Sequence, residues 1–165
     1  MLLFISATSG NNLRLCQRAK ELADAQGIQT HLICLSSLDL PLFTTEKEAS
    51  ATPAALGELE EHFAKASALW ISAPEYNGSI PPALVNAIAW LSRSSNNFRH
   101  LFNQKVVALS THSGGGGQKV LVAMRMQLSH LGANVLGREI LTNKSKMLRD
   151  ESVQALLAQL QTKKE

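Results

Sequence analysis

Three short stretches of this sequence collect residue types that hold a ligand rather than break its bonds. The first contains Ser6, Thr8, Ser9, Gly10, Asn11 and Asn12, between a short apolar run and a helical pattern. Small hydroxyl and amide residues at such a junction open a helix N-terminus. Its unpaired N–H groups and the positive end of the helix dipole make a phosphate site. Ser and Asn are also favoured as ordinary N-caps, so on this stretch alone both uses stay open. No Gly-Lys-Ser/Thr sequence follows and there is no G-x-G-x-x-G, which argues against a phosphate-transferring loop and a dinucleotide turn.

A phosphate held without a lysine clamp suits a monophosphate that is bound and not transferred. FMN is a ligand of that kind. The second stretch, Pro74, Glu75, Tyr76, Asn77 and Gly78, carries the only tyrosine of the chain. A tyrosine in a glycine-containing loop is placed to meet a flat ring, while Asn77 and Gly78 offer polar groups to its edge. A simple turn with a part-exposed tyrosine would use the same residues. Pro81 and Pro82 then fix the entry to a helix. The third stretch runs through Thr111, His112 and Ser113 into four glycines, from Gly114 and Gly115 to Gly117. Consecutive glycines let a backbone approach a ligand closely. His112 has two readings, a hydrogen bond to that ligand or a solvent-facing loop histidine.

No Ser-His-Asp or Cys-His arrangement is recognisable, and no catalytic side chain is assigned. Cys16 and Cys34 make no disulfide framework and have no zinc-ligand spacing; they read as small apolar side chains in a reducing cytoplasm. His31, His62, His100 and His130 show no metal spacing either. Trp70 and Trp90 read as core or interface residues.

These stretches need elements to position them, and the chain supplies a regular alternation. Apolar runs at residues 2–5, 29–35, 68–72, 106–110 and 134–136, the last extendable to 141, read as strands. Helical periods between them place Leu13, Cys16, Ala19, Leu22 and Ala23 on one face, then Leu56, Leu59 and Phe63 after Pro53. Leu84, Ala87, Ile88 and Leu91 follow, then Leu121, Met124, Leu128 and Leu131, then Val153, Leu156, Leu157 and Leu160. Gly27 and Gly132 sit where helices stop. Residues 38–53 lack a period and read as a loop. Apolar strands alternating with amphipathic helices imply a parallel sheet covered on both faces. Five such units favour strand order 2-1-3-4-5, with a ligand crevice at the carboxyl ends of the strands. All three stretches then fall on that edge.

The 165 residues suffice for one domain with a core, expected to span 1–165. With 45% hydrophobic and 18% charged residues, the composition is that of a soluble globular protein. No apolar window approaches a membrane span, and Met1 to Ser6 reads as a first strand and not a signal peptide. Neither a membrane nor a nucleic acid is expected as a partner. A net charge of +3 without a basic run and interleaved aromatics suits an anionic small molecule at least as well.

The run from Pro74 to Arg93, PEYNGSIPPALVNAIAWLSR, resembles the signature of the NADPH-dependent FMN reductase family, which includes quinone, chromate and azo-dye reductases. The likeness covers nearly the whole chain. Leu40 to Phe43 resembles the segment after the family's second strand, and Gly114 to Gly117 with Leu128 to Val135 resembles its fourth βα unit. The first loop departs: Ser9 and Asn11 match the end of the family's G-S-x-R-x-x-S-x-N, but the loop is shorter and lacks the Arg, a bidentate phosphate partner. Val85 and Ala89 stand where the family usually has Lys and Asp. The resemblance implies a flavodoxin-like α/β fold and FMN as cofactor, reduced by NADPH or NADH and reoxidised by a small acceptor such as a quinone. It also implies a homodimer or homotetramer. The alternative is an electron carrier, or a flavin-binding module, without nicotinamide turnover. The implied FMN residues are Ser6, Thr8, Ser9, Asn11, Asn12, Pro74, Glu75, Tyr76, Asn77, Gly78, Thr111, Ser113, Gly114 and Gly115.

Overall fold

The computed structural model describes residues 1–50 and 52–161. Its strands are β1 (Leu2–Ser6), β2 (Thr30–Cys34), β3 (Ala68–Ser72), β4 (Val106–His112) and β5 (Asn134–Thr142). They form one sheet in the order β2-β1-β3-β4-β5, with every pairing parallel. The helices are α1 (Asn11–Asp24), α2 (Thr45–Ser50), α3 (Ala54–Lys65), α4 (Pro82–Arg93), α5 (Gln118–His130) and α6 (Asp150–Gln161). This is the flavodoxin-like architecture and strand order expected. Among the described residues no helix is long and apolar enough to cross a membrane.

The period of two along each strand divides the core into two halves. Leu3 and Ile5, Leu69 and Ile71, and Val107 and Leu109 face one side, against Leu59 and Phe63 of α3, Leu84 and Leu91 of α4 and Leu121 and Met124 of α5. Leu2, Phe4, Trp70 and Ala108 face the other, against Leu15 and Ala19 of α1 and Leu156 and Leu157 of α6. All five residues of β1 and of β3 are buried, which is why both read as unbroken apolar runs. Each fully buried Leu or Ile contributes roughly 1.5–3 kcal/mol relative to exposure. Both buried indole N–H groups are paired: Trp70 Nε1 donates to Ser110 Oγ at 2.9 Å and Trp90 Nε1 to the Pro41 carbonyl at 2.8 Å.

Residues 38–53 correct the expected loop. A 3-10 turn at Leu35–Ser37 leads toward α2, which buries none of its six residues. A helix with no buried face leaves no apolar period in the sequence. It is held locally instead, by Thr44 Oγ1 accepting the Lys47 N–H at 3.2 Å and by Glu46 and Glu48 in its first turn. Asn86 of α4 anchors the segment before it, accepting the Phe43 N–H at 2.7 Å and donating to the Pro41 carbonyl at 3.0 Å. Strand β4 extends to His112, and β5 runs the full length to Thr142 past an irregularity opposite Val107 and Leu109.

Candidate functional site

Because β1, β3 and β4 are parallel neighbours, their carboxyl ends lie side by side. The ladder continues one step beyond the strands. Ala7 N–H donates to the Ser72 carbonyl at 2.9 Å, and Ala73 N–H to the Ser110 carbonyl at 3.2 Å. The three sequence stretches therefore start from one rigid edge.

Asn12 locks that edge. Its side chain is buried, donates to the His112 carbonyl at 3.0 Å, and accepts the His112 N–H at 2.8 Å and the Ser72 hydroxyl at 2.8 Å. One amide thus ties the start of α1 to the ends of β3 and β4. Ser6 and Thr111 are also buried, and their hydroxyls donate within the loops, Ser6 to the Thr8 carbonyl at 2.7 Å and Thr111 to the Ala73 carbonyl at 2.7 Å. These residues brace the loops.

Ser9, Gly10 and Asn11 are exposed at the mouth. Helix α1 has Gly10 as its N-cap and no side-chain cap. Leu13 and Arg14 N–H groups donate back to the Gly10 carbonyl, while the N–H groups of Asn11 and Asn12 have no acceptor among the described residues. Two donors and the dipole end point outward, with no carboxylate in the first turn of α1 to oppose an anion. Arg14 was not singled out from the sequence. It sits one turn along the helix, with Nη1 3.5 Å from Asn11 Oδ1, so the first turn carries a guanidinium although the loop lacks its Arg. The three-residue spacing was the available signal.

The second stretch forms a tight two-residue turn. Tyr76 N–H donates to the Ser79 carbonyl at 3.1 Å and Ser79 N–H returns to Tyr76 at 2.9 Å. Asn77 and Gly78 both take positive φ, 50° and 72°, as a narrow primed turn demands. The turn lifts Tyr76 into solvent, where 49% of it is exposed. Pro74 and Glu75 behind it are half-buried. Glu75 Oε2 accepts the Lys119 N–H at 3.1 Å, which caps α5 and joins the second stretch to the third.

In the third stretch Ser113 is buried and its N–H donates to the Thr142 carbonyl at 3.2 Å; Gly114 and Gly115 are exposed. His112 turns toward β5, with Nδ1 3.1 Å from Thr142 Oγ1. That hydroxyl already donates its hydrogen to the Thr111 carbonyl at 3.0 Å. The network therefore assigns the proton to Nδ1 and leaves Nε2 as the acceptor of the neutral ring. The exposed remainder is an open helix end, a raised tyrosine and a glycine loop on one edge.

Comparison with known proteins shows the family and the fold. The family model described as NADPH-dependent FMN reductase matches residues 1–146. A quinone reductase of Escherichia coli (strain K12) is 34% identical over 106 residues, 62% of this chain and 55% of that protein. An NADPH:quinone oxidoreductase of Arabidopsis thaliana is 32% identical over 92 residues, 55% of this chain and 44% of that one. The matches thus span about half the length of these curated relatives. In three dimensions the flavoenzyme NAD(P)H:(acceptor) oxidoreductase FerB of Paracoccus denitrificans superposes with a TM-score of 0.79 at 19% identity, over 96% of this chain and 93% of that one. The chain belongs to the NADPH-dependent FMN reductase family.

Proposed function

We propose that this chain, acting as a single domain, binds FMN at the carboxyl edge of its sheet and passes electrons from NADPH or NADH to a small acceptor such as a quinone. The observation that carries this reading is the uncapped first turn of α1 on the same edge as the exposed Tyr76 and the glycine loop. The residues fit the cofactor. Asn11 and Asn12 N–H groups, with the Ser9 hydroxyl, suit a monophosphate, and Arg14 supplies a cation within reach of that turn. The Glu75 carboxylate is engaged at α5, so it does not contest the phosphate position. Tyr76 offers a ring face, and exposed Gly114 and Gly115 let the backbone come close.

When bound, FMN supplies the two-electron chemistry between nicotinamide and acceptor, and it carries an added negative charge while reduced. The chain's part is to bind and orient. The Asn12 clamp fixes the distance between the phosphate turn and the ring-side loops. The Tyr76 turn and the glycine loop bound the crevice. No side chain has to exchange a proton for hydride transfer from nicotinamide, so no general acid or base is assigned.

The deciding experiment is reconstitution with FMN, followed by the visible spectrum and by steady-state NADPH oxidation with a benzoquinone. Flavin binding with quinone-dependent NADPH oxidation is expected. A protein that takes no flavin would overturn the proposal. Flavin binding without NADPH oxidation would instead make the chain an electron carrier.

The same reading includes a homodimer or homotetramer. Exposed Leu42 and Val85 flank the Phe43–Asn86 hydrogen bond and give an apolar surface beside α4. Light scattering should show a dimer or larger that Leu42→Asp shifts toward monomer; a monomer at all concentrations of the parent would count against it.

A further inference from the structure

Lys119 occupies the junction between the second and third stretches. It is the second residue of α5, and Glu75 Oε2 holds its backbone N–H at 3.1 Å. Its side chain then passes over Gly78. A Cβ built on Gly78 would lie 3.3 Å from Lys119 Cδ and 3.8 Å from Nζ. Gly78 supplies the positive φ of the turn, and its missing Cβ leaves room for this lysine. The ammonium therefore lies beside the Tyr76 turn, on the carboxyl edge of the sheet. Glu75 accepts its hydrogen bond from the backbone N–H of Lys119 and not from the ammonium. The N-terminus of α5, equivalent to about half a positive charge, offsets part of the Glu75 charge. This part of the edge therefore keeps a positive balance.

We propose that Lys119 sets the reduction potential of FMN in this crevice by stabilising the charge that the ring gains on reduction. The inference rests on the FMN-binding reading above. Hydride from NAD(P)H brings two electrons and one proton to a neutral ring, so the ring gains one negative charge and the nicotinamide leaves as its oxidised cation. The two electrons pass on to the acceptor, which takes up the accompanying protons from ring and solvent. Throughout, the Lys119 ammonium keeps its protons and acts only through its field. A cation beside the ring favours the charged, reduced form over the neutral, oxidised one. It is a positioning charge, and no bond to it forms or breaks.

Lys119→Met tests this, because it keeps an unbranched apolar stem across Gly78 and removes only the charge; Lys119→Arg restores the charge. The readouts are the midpoint potential of the FMN-loaded protein, by equilibrium dye titration, and the dissociation constants of oxidised and reduced FMN. In Lys119→Met the reduced form should bind about tenfold more weakly relative to the oxidised form, a fall of about 30 mV for a two-electron couple. Oxidised FMN should bind within about twofold of the parent, and Lys119→Arg should return the potential to the parent value. An unchanged potential in Lys119→Met would overturn the inference. So would equal loss of affinity for both redox forms, which would make Lys119 a plain binding residue, or a raised KM for NADPH at constant potential, which would make it a contact for the nucleotide. A parent protein that takes no FMN fails the functional proposal itself, and the two failures are distinct.

Discussion

Asn11 and Asn12 are chemically identical neighbours with opposite surroundings. Asn11 is exposed at the first helical position, while Asn12 is buried in the clamp to His112 and Ser72. Asn11→Asp separates binding from stability. A carboxylate in the first turn of α1 favours the helix dipole, so Tm should hold or rise. On the proposed reading, the same carboxylate would face the FMN phosphate. Two like charges about 4 Å apart in water cost about 1 kcal/mol, so FMN should bind about fivefold more weakly or worse. Fluorescence titration of FMN alongside thermal unfolding checks both, and an unchanged affinity would place the phosphate elsewhere. Tyr76 gives a second test. Tyr76→Phe keeps the ring and loses at most one hydrogen bond, roughly 0.5–1.5 kcal/mol, so flavin reduction by NADPH should slow only modestly. Tyr76→Ala also removes the ring face and should weaken FMN further. Stopped-flow reduction of both variants decides. A loss of several orders of magnitude in Tyr76→Phe with flavin still bound would mean that the hydroxyl moves a proton.

At the scale of elements, the glycine loop is not uniformly free. Gly117 is the N-cap of α5 with φ of 79°, and a Cβ there would lie 2.7 Å from Thr111 Cγ2. Gly114 has nothing within 4 Å of such an atom. Gly117→Ala should therefore destabilise the fold by about 2–4 kcal/mol, from left-handed strain and overpacking against Thr111. Gly114→Ala should stay within about 0.5 kcal/mol. Urea unfolding of the pair checks this, and equal effects would refute the distinct roles. The elements themselves were legible where burial imposed a period. Helix α2 was not, because it buries nothing. The extension of β4 through Thr111 and His112 was not either, since polar residues continue that strand by pairing with Leu141 and Thr142 of β5.

At the scale of the whole molecule, one titratable contact joins an edge strand to a covering helix. His31 of β2 stacks on His62 of α3 with ring centroids 3.8 Å apart. Burial, then the neighbouring His62 charge, holds the His31 imidazole below its ordinary range; Glu58 acts in the opposite sense and Lys20 in the same one. The charged form is thus disfavoured in the folded state. The unfolded chain, with histidine near about 6.5, binds more protons below that pH, so stability should fall as pH drops through about 6.5 and level off above it. Thermal unfolding from pH 7.5 to 5 should show this slope, and His31→Gln should flatten it. A slope that survives the substitution would locate the proton uptake elsewhere.

Taken by itself, the sequence determined the strands, most of the helices and the edge on which the candidate site lies. Continuous apolar runs such as Leu2 to Ile5 and Ala68 to Ile71 are stable only when covered on both faces. Strict alternation with helical periods leaves a parallel sheet as the way to bury both. Local chemistry also marked Ser9, Asn11, Tyr76 and the glycines, because helix ends, turns and close approaches depend on adjacent residues. Only the tertiary structure separated the exposed Asn11 from the buried Asn12, turned His112 toward Thr142, and set Glu75 on the end of α5 with Lys119 over Gly78. Asn12 and His112 are separated by 100 positions, and Glu75 and Lys119 by 44. No local period or spacing encodes such pairs. They exist because the crossover connections bring the ends of β1, β3 and β4 together, and a hydrogen bond forms only where donor and acceptor come within about 3 Å.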